Sequence, residues 1–566
     1  MCNIPAALKP PVGNDIFVEP EEVNHVLGMY KDATILITGG TGFLGKVLLE
    51  KALRCLEVKK IFLLVRRKDG LSVEQRLVKL LQDAIFDKVL AIYGSTSQLA
   101  AKLEAVQIDL ENDRLCQCDP ILERRVLDET EIVFNVLASV KFNESIRNAI
   151  LTNMAGTRKL LQMAQKMERL KSVVHVSTLY SNCNRLEIEE KIYDDIPLRH
   201  STILELASSL TENEMSRFQH CFLGPMPNTY TFSKKCAEVM IRDEFSQLPI
   251  GIFRPPIVIS TFREPISGWT DNLNGPSGLC MGTVKGLIHI IWGDKSKKAN
   301  LVPVDFCVNA IIVAAYDVMR RNVTYSSASR LDAEDAEGNA LPPHHNPIDS
   351  LHPNVFNTGI PSEADRLPLY NYMYPEHSLT WGKYMELASL GFESRLHQMV
   401  WSYSYMITSY RPLFRMLSLC LHTVPAIVLD AYRQLCRKKP IYRRTMQKTS
   451  RALELMAYFG LREWTIHSSN VRRLRGLLSS NEARLLEFDM AAIDWKQYFL
   501  AYIPGIRRYW CGQRDARTSN WQPSSSRRFL YMQRLFHRLV WIWICVRLTR
   551  VSSKFLLNNL FTILIA

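Results

Sequence analysis

Residues 34–49 read TILITGGTGFLGKVLL: a β-branched run, a glycine-rich turn, and the start of a helix. No other stretch narrows the possible folds as far. A buried strand that passes through glycines straight into a helix opens a β-α-β unit, and such units build parallel sheets wrapped by helices. Gly39, Gly42 and Gly45 give the spacing G-x-x-G-x-x-G. One glycine supplies the tight turn, another lets backbone N–H groups approach a pyrophosphate, and the third permits close helix packing, with the anion on the helix N-terminus. These three are the candidate cofactor-binding glycines.

The alternation of β-rich runs and helical stretches continues. Strands are expected at Thr34–Thr38, Ile61–Val65, Val106–Asp109, Ile132–Val136, Val173–Ser177 and Ile250–Arg254. The expected fold class is therefore α/β, a Rossmann-type doubly wound parallel sheet. At 566 residues the chain has room for two or three domains. Hydrophobic residues at 47% and charged ones at 22% exclude disorder and a polytopic membrane bundle. The expected division is an N-terminal extension over 1–30, a dinucleotide-binding domain over 31–388, a mainly helical domain over 389–512, and a tail over 513–566. Within the second, a Ser-, Asp-, Glu- and Pro-rich stretch at about 322–352 reads as an exposed insertion.

The second strand ends in LLVRRK, with Arg66 placed 21 residues after Gly45. An NAD-preferring site carries Asp or Glu near this spacing for the ribose hydroxyls. Arg66 and Arg67 instead offer forked cationic donors to a 2′-phosphate, so NADPH is the expected cofactor. Asp109, after the third strand, is a candidate acceptor for the adenine amine. In PNTYTFSKKCAEVM, Tyr230 and Lys234 stand four apart and share a helix face. A nearby cation favours phenolate, which would bring the phenol toward a useful acid–base range. Ser177 and Thr178 close the fifth strand, and a hydroxyl there can donate to a carbonyl oxygen as charge develops on it. Which of the two points inward stays open.

Thirteen cysteines are scattered without a C-x-x-C pair, and nothing has metal-ligand spacing. They read as reduced thiols. Residues 1–17 lack a basic segment followed by an apolar one, so a cytosolic catalytic region is expected. Net charge is +14, and ten Arg and one Lys against one acid between Arg507 and Lys554 supply about +10 of it. Trp and Leu accompany that charge, which suits an anionic membrane surface better than nucleic acid. Apolar runs at 539–546 and 555–566, split by Arg547, Arg550 and Lys554, suggest an interfacial tail with Trp541 and Trp543 at the headgroups. A second apolar stretch, Leu413–Leu429, reads equally as membrane contact or as a core helix pair.

These motifs together resemble the extended short-chain dehydrogenase/reductases, and more narrowly the alcohol-forming fatty acyl-CoA reductases. TGGTGFLG, LLVRRK, VKFNE, HVSTLYSNC, PNTYTFSKKCAEV, FRPPIV, SGWTDNLNGPSG and LVPVDFCVNAII follow in that family's order, then YFGLREWTIHSSN and FDMAAIDWKQYFLAYIPGIRRYW. The resemblance covers about residues 31–511. It implies NADPH at Gly39, Gly42, Gly45 and Arg66, a catalytic Tyr230–Lys234 pair with Thr178 or Ser177, and two-step reduction of a fatty acyl-CoA to a primary alcohol. The expected partners are that substrate and a membrane lipid surface, with the endoplasmic reticulum ahead of peroxisome or lipid droplet. The chain departs from the family at Leu137, where Ala is usual. An extended reductase acting on a sterol or sugar, and an inactive lipid-binding relative, remain the alternatives. The substrate pocket is expected between Ile196–Asn228 and the helical region.

Overall fold

The computed structural model describes residues 24–67, 70–110, 115–116, 118–337, 366–390 and 405–512, with eight positions between Tyr531 and Arg547. At its centre is a sheet of seven strands: β1 (Thr34–Thr38), β2 (Lys60–Arg66), β3 (Leu103–Ile108), β4 (Ile132–Asn135), β5 (Ser172–Val176), β6 (Ile250–Arg254) and β7 (Leu369–Asn371). Every pairing is parallel, in the order β3-β2-β1-β4-β5-β6-β7. Both faces of such a sheet are covered, which is why β1, β4, β5 and β6 are buried along their whole length and mostly apolar, with polar side chains such as Asn135, His175 and Arg254 enclosed among them. The order reverses between β1 and β4. Right-handed crossovers then put the helices of the two halves on opposite faces and open a crevice at the carboxyl ends of these two strands.

Helices α1 (Phe43–Cys55), α2 (Thr229–Phe245) and α3 (Val304–Glu337) flank this frame. The six expected strands all occur, and β7 is an addition. It is three residues long and sits close to Pro368 and Pro375, too short to show a period in sequence. The expected insertion from about 322 is corrected in its first half, because α3 continues to Glu337. No Gly or Pro interrupts the chain there before Gly338, and a nucleated helix extends at little cost through Ser, Ala, Arg, Asp and Glu. Residues 338–365 lie outside the described residues.

Three further helices, α4 (Arg411–Leu435), α5 (Tyr442–Gly460) and α6 (Trp495–Gly505), dominate the C-terminal region. This region is stitched to the first by two short parallel pairings, Met406–Thr408 with Ile290–Trp292 and Thr465–Ile466 with Glu187–Ile188. One contiguous core extends from Val26 to Ile506. The N-terminal stretch joins it through a helix, His25–Tyr30, whose Tyr30 hydroxyl donates to the Ile312 carbonyl at 2.7 Å. Of the basic tail, Trp541 and nearly all other positions lie outside the described residues, and the eight described ones are helical and exposed.

The motif SGWTD, residues 267–271, ties the two regions to the glycine turn. Trp269 is buried, stacks on Phe43 of α1 at 5.7 Å, and donates from Nε1 to Asp83 at 3.1 Å. Lys46 of α1 bridges Asp83 and Asp271 at 2.8 and 3.1 Å. On its other side Gly268, at φ +75°, meets α6 backbone to backbone: a Cβ on Gly505 would stand 1.9 Å from the Gly268 carbonyl oxygen. Nothing there can give way except the backbone. Gly505→Ala is expected to destabilise the chain by about 1–3 kcal/mol, the usual cost of overpacking. Leu500→Ala, on the exposed side of α6, should change stability by less than about 0.5 kcal/mol. Thermal unfolding of the two variants beside the parent checks both.

Candidate active site

The glycine turn after β1 is built for close approach. Gly39 has φ +68°, and a Cβ on it would lie 2.8 Å from the Leu137 nitrogen. A Cβ on Gly45 would lie 2.2 Å from the Gly39 carbonyl oxygen, so both positions exclude any side chain. Gly42 caps α1 in an extended conformation with no side chain bonded to the helix N-terminus. The first-turn N–H groups are left for an outside acceptor, which fits an anionic pyrophosphate. The residue at 137 that departs from the family's Ala thus meets the turn through its backbone.

Beyond the turn stand the arginines. Arg66 ends β2 and Arg67 follows it, both exposed, and Arg67 Nε donates to Gln107 at 2.9 Å. A third guanidinium joins them: Arg76 donates to the Thr41 hydroxyl at 3.3 Å and to the Arg66 carbonyl. Arg76 is carried by the helix Val73–Leu81, which starts right after β2 with Ser72 and Gln75 in a capping box. That S-x-x-Q signal was readable in sequence, but the direction of Arg76 was not. Asp109 follows β3 at the same sheet edge, one residue past the Arg66–Ile108 pairing, and its N–H donates to the Leu115 carbonyl at 3.0 Å.

Tyr230 lies in the first turn of α2, where the Asn228 side chain accepts from the Thr231 N–H at 2.9 Å. The Thr178 side chain stands beside its phenol. Burial pushes the phenol up to about 12, Thr178 draws it back, and the Glu238 charge adds to the rise. The expected shift toward phenolate is therefore not the one found. Lys234 turns its ammonium to the Val176 carbonyl at 2.7 Å, and desolvation, which a neighbouring cation does not offset, holds Tyr230 neutral. Lys234 itself is lowered to about 8 by burial, with Glu238 opposing.

The two hydroxyls at the end of β5 part company. Thr178 faces Tyr230 while also accepting from the Tyr180 N–H at 3.3 Å. Ser177 points to the other side and donates to Glu238. Successive side chains of an extended segment alternate, so only one could face the crevice. The structure thus brings Thr178, Tyr230 and Lys234 together and sets Ser177 apart.

Glu238 is the hub of that second cluster. It accepts from Ser177, from Ser181 at 2.9 Å, and from both Nε and Nη2 of Arg254 at 3.0 and 2.7 Å. Arg254, wholly buried, also donates to the Glu189 and Lys191 carbonyls and to Asn371 of β7. On the crevice side of β1 and β4 runs a second buried network. Thr38 donates to Asn135, and Asn135 bonds Thr157 and His175. Thr157 donates to the Asn153 carbonyl, and Asn153 in turn donates to the Ser233 hydroxyl on α2.

An aromatic wall closes the site, and sequence reasoning assigned it no role. Phe142 stacks against Tyr230 at 6.1 Å and meets Phe459 of α5 at 5.6 Å. Tyr180 and Trp464 complete the cluster around Phe459. Tyr458 and Trp464 both donate to the Cys183 carbonyl, at 3.0 and 3.1 Å. One residue beyond Phe459, at Gly460, begins an apolar pocket lined by Leu279, Ile291, Trp292, Leu453 and Met456. The helical region expected as a pocket wall contributes Leu453 and Met456 to this lining, which does not include Ile196–Asn228.

Two family models, both described as "Male sterility protein", match residues 37–311 and 421–513. Fatty acyl-CoA reductase wat of Drosophila melanogaster is 31% identical over 85% of this chain and 84% of its own. Fatty acyl-CoA reductase 1 of Xenopus laevis is 31% identical over 85% of each chain, and fatty acyl-CoA reductase 2 of Homo sapiens is 30% identical over 86% of each.

The Glu238 cluster generates an expectation about stability. Glu238→Ala strands a buried guanidinium and should cost about 3–5 kcal/mol. Ser177→Ala removes one of four donors and should cost about 1 kcal/mol. The ranking is read from thermal unfolding, and equal shifts for the two would contradict it.

Proposed function

Since the chain belongs to the fatty acyl-CoA reductase family and is an oxidoreductase, we propose that it reduces a long-chain fatty acyl-CoA to the primary alcohol with NADPH, through an aldehyde and with release of CoA. The observation that carries this reading is the Thr178–Tyr230–Lys234 set at the carboxyl edge of the sheet, between the glycine turn and an apolar pocket. The turn and its unfilled helix N-terminus fit a pyrophosphate, and Arg66, Arg67 and Arg76 fit the 2′-phosphate that distinguishes NADPH. A bound NADPH would supply one hydride from its nicotinamide, so each of the two steps consumes its own NADPH.

Tyr230 acts on the oxygen. Held neutral by burial, its phenol is a proton donor at physiological pH, and it gives its proton to the carbonyl oxygen as negative charge collects there. Thr178 donates a second hydrogen bond to that oxygen. Lys234, one turn along α2, lowers the cost of the phenolate left behind and is close enough to neutrality, at about 8, to pass a proton on. Loss of the CoA thiol from the first adduct gives the aldehyde, and the same residues serve the second reduction. Phe142 and Phe459 exclude water from the reacting carbonyl, and the apolar pocket beyond Gly460 takes the acyl chain. A membrane surface with the catalytic region on its cytosolic side suits this reaction, since substrate and product both partition into lipid and residues 1–17 do not read as a secretory leader.

Tyr230→Phe is expected to lower alcohol formation by about a hundredfold or more while leaving NADPH affinity within a few fold. Thr178→Val should lower turnover by about tenfold to a hundredfold, and Ser177→Ala should fall short of that loss in protein that remains folded. Lipid profiling of an expressing host, with NADPH consumption on acyl-CoA, reads all three. Near-parental alcohol from Tyr230→Phe overturns the assignment.

Cofactor choice is tested separately. Arg66→Gln combined with Arg67→Gln should weaken NADPH by about tenfold or more and NADH by much less, because only NADPH has a phosphate needing these charge-assisted contacts. Equal losses measured by titration of the two cofactors would refute the role.

A further inference from the structure

Helix α4 carries an apolar stripe that the protein leaves bare. Met416, Leu419, Val424, Ile427, Val428 and Leu435 are exposed, Val428 by 61% and Leu435 by 84%. With Tyr432 they fall at 416, 419, 424, 427–428, 432 and 435, steps of three to five residues that keep them on one side of the helix. Exposed tyrosines, Tyr410 and Tyr432, stand at its two ends. An exposed apolar patch of this length on a folded chain marks a surface meant to be covered.

The opposite side of α4 is sealed against protein. Phe414 stacks on Trp292 at 5.7 Å, and Leu417, Leu421 and Ala426 are buried. His422 Nε2 accepts from the His289 N–H at 2.8 Å. Asp430 accepts from the N–H groups of Ile441, Tyr442 and Arg443, pinning the turn into α5. A helix crossing a bilayer must meet lipid or other membrane-embedded segments around its whole circumference. Here one face belongs to the protein core from Phe414 to Asp430, so α4 is shaped to lie in a surface plane and not to span.

Charge identifies what covers it. Between Arg411 and Arg451 the chain has ten Lys and Arg and one acid, Asp430, whose carboxylate is already used. Arg411 and Arg415 flank the stripe at one end, and Arg437, Lys438 and Lys439 at the other, all exposed. A second copy of this face would set cation against cation, whereas an anionic phospholipid layer meets both the apolar stripe and its basic borders.

We propose that α4 and the basic turn after it form a membrane-docking face lying flat on an anionic phospholipid bilayer, separate from the C-terminal tail. The Met416–Leu435 stripe sits at the headgroup–acyl boundary and the flanking cations contact lipid phosphates. On its protein side α4 packs through Phe414 on Trp292, which lines the apolar pocket, so docking holds that pocket one helix away from the bilayer.

The test uses the full chain and phosphatidylcholine vesicles with and without phosphatidylserine. Ile427→Glu with Val428→Glu should weaken vesicle binding by about tenfold or more, and Lys438→Gln with Lys439→Gln should weaken it chiefly on the phosphatidylserine vesicles. In parallel, the parent chain is photolabelled with a diazirine phospholipid in the same vesicles and the labelled peptides are mapped, which requires no altered protein to fold. Label within 416–435 supports the face. Label confined to the tail, cross-links between two copies through α4, or unchanged binding of the folded Glu variant overturns it. Vesicle binding requires no turnover, so its failure is distinct from a failure of the proposed reduction.

Discussion

A carboxylate and a guanidinium, both out of contact with water, set the geometry of this molecule. Glu238 and Arg254 meet at 2.7 Å with at most 1% of either side chain exposed. Such a pair adds little net stability over an apolar packing, because desolvation consumes most of its attraction. What it supplies is position. Arg254 ends β6, binds Asn371 of β7 and holds the carbonyls at Glu189 and Lys191, while Glu238 fixes α2 one turn past Lys234. Every N–H of the guanidinium and both oxygens of the carboxylate are engaged, so α2 has one acceptable register. The same charge adds to the rise of Tyr230 and opposes the fall of Lys234, coupling the pin to the chemistry.

The second buried network does for the crevice what the ion pair does for the helix. From Thr38 at the end of β1 it passes through Asn135 to Asn153 and Ser233 on α2, linking the cofactor side of the switch point to the helix that holds Tyr230. Side-chain networks of this kind are costly when half satisfied and rigid when complete. Thr38 also receives the N–H groups of Val136 and Leu137, the backbone that Gly39 packs against.

How much was legible beforehand follows from where the signal lies. Parallel strands buried on both faces announce themselves as β-branched runs, and the glycines at 39 and 45 report steric exclusion directly, so six of the seven strands and the glycine turn were readable. Tyr230 and Lys234 were readable because helical spacing is fixed. The choice between Ser177 and Thr178 was not, since it depends on which side of the strand faces the crevice. Nor was the neutral state of Tyr230, which comes from desolvation by distant segments. β7 was too short to show a pattern, and the polar composition after Asn322 hid a helix that no breaker stops. Phe459 and Trp464 belong to a region whose docking onto the sheet rests on two-residue and three-residue pairings, and no local pattern encodes those.

That docking sets an order in time. Tyr458 and Trp464 reach back 275 and 281 residues to the Cys183 carbonyl. Contacts so far apart in sequence form late, after the local ones have organised the chain. As the chain leaves the ribosome, the sheet is largely complete while Phe459 and Trp464 of the aromatic wall are still unsynthesised. The half-built protein therefore displays a formed glycine turn beside an open apolar cleft, the kind of transiently exposed surface that favours aggregation until the C-terminal region covers it.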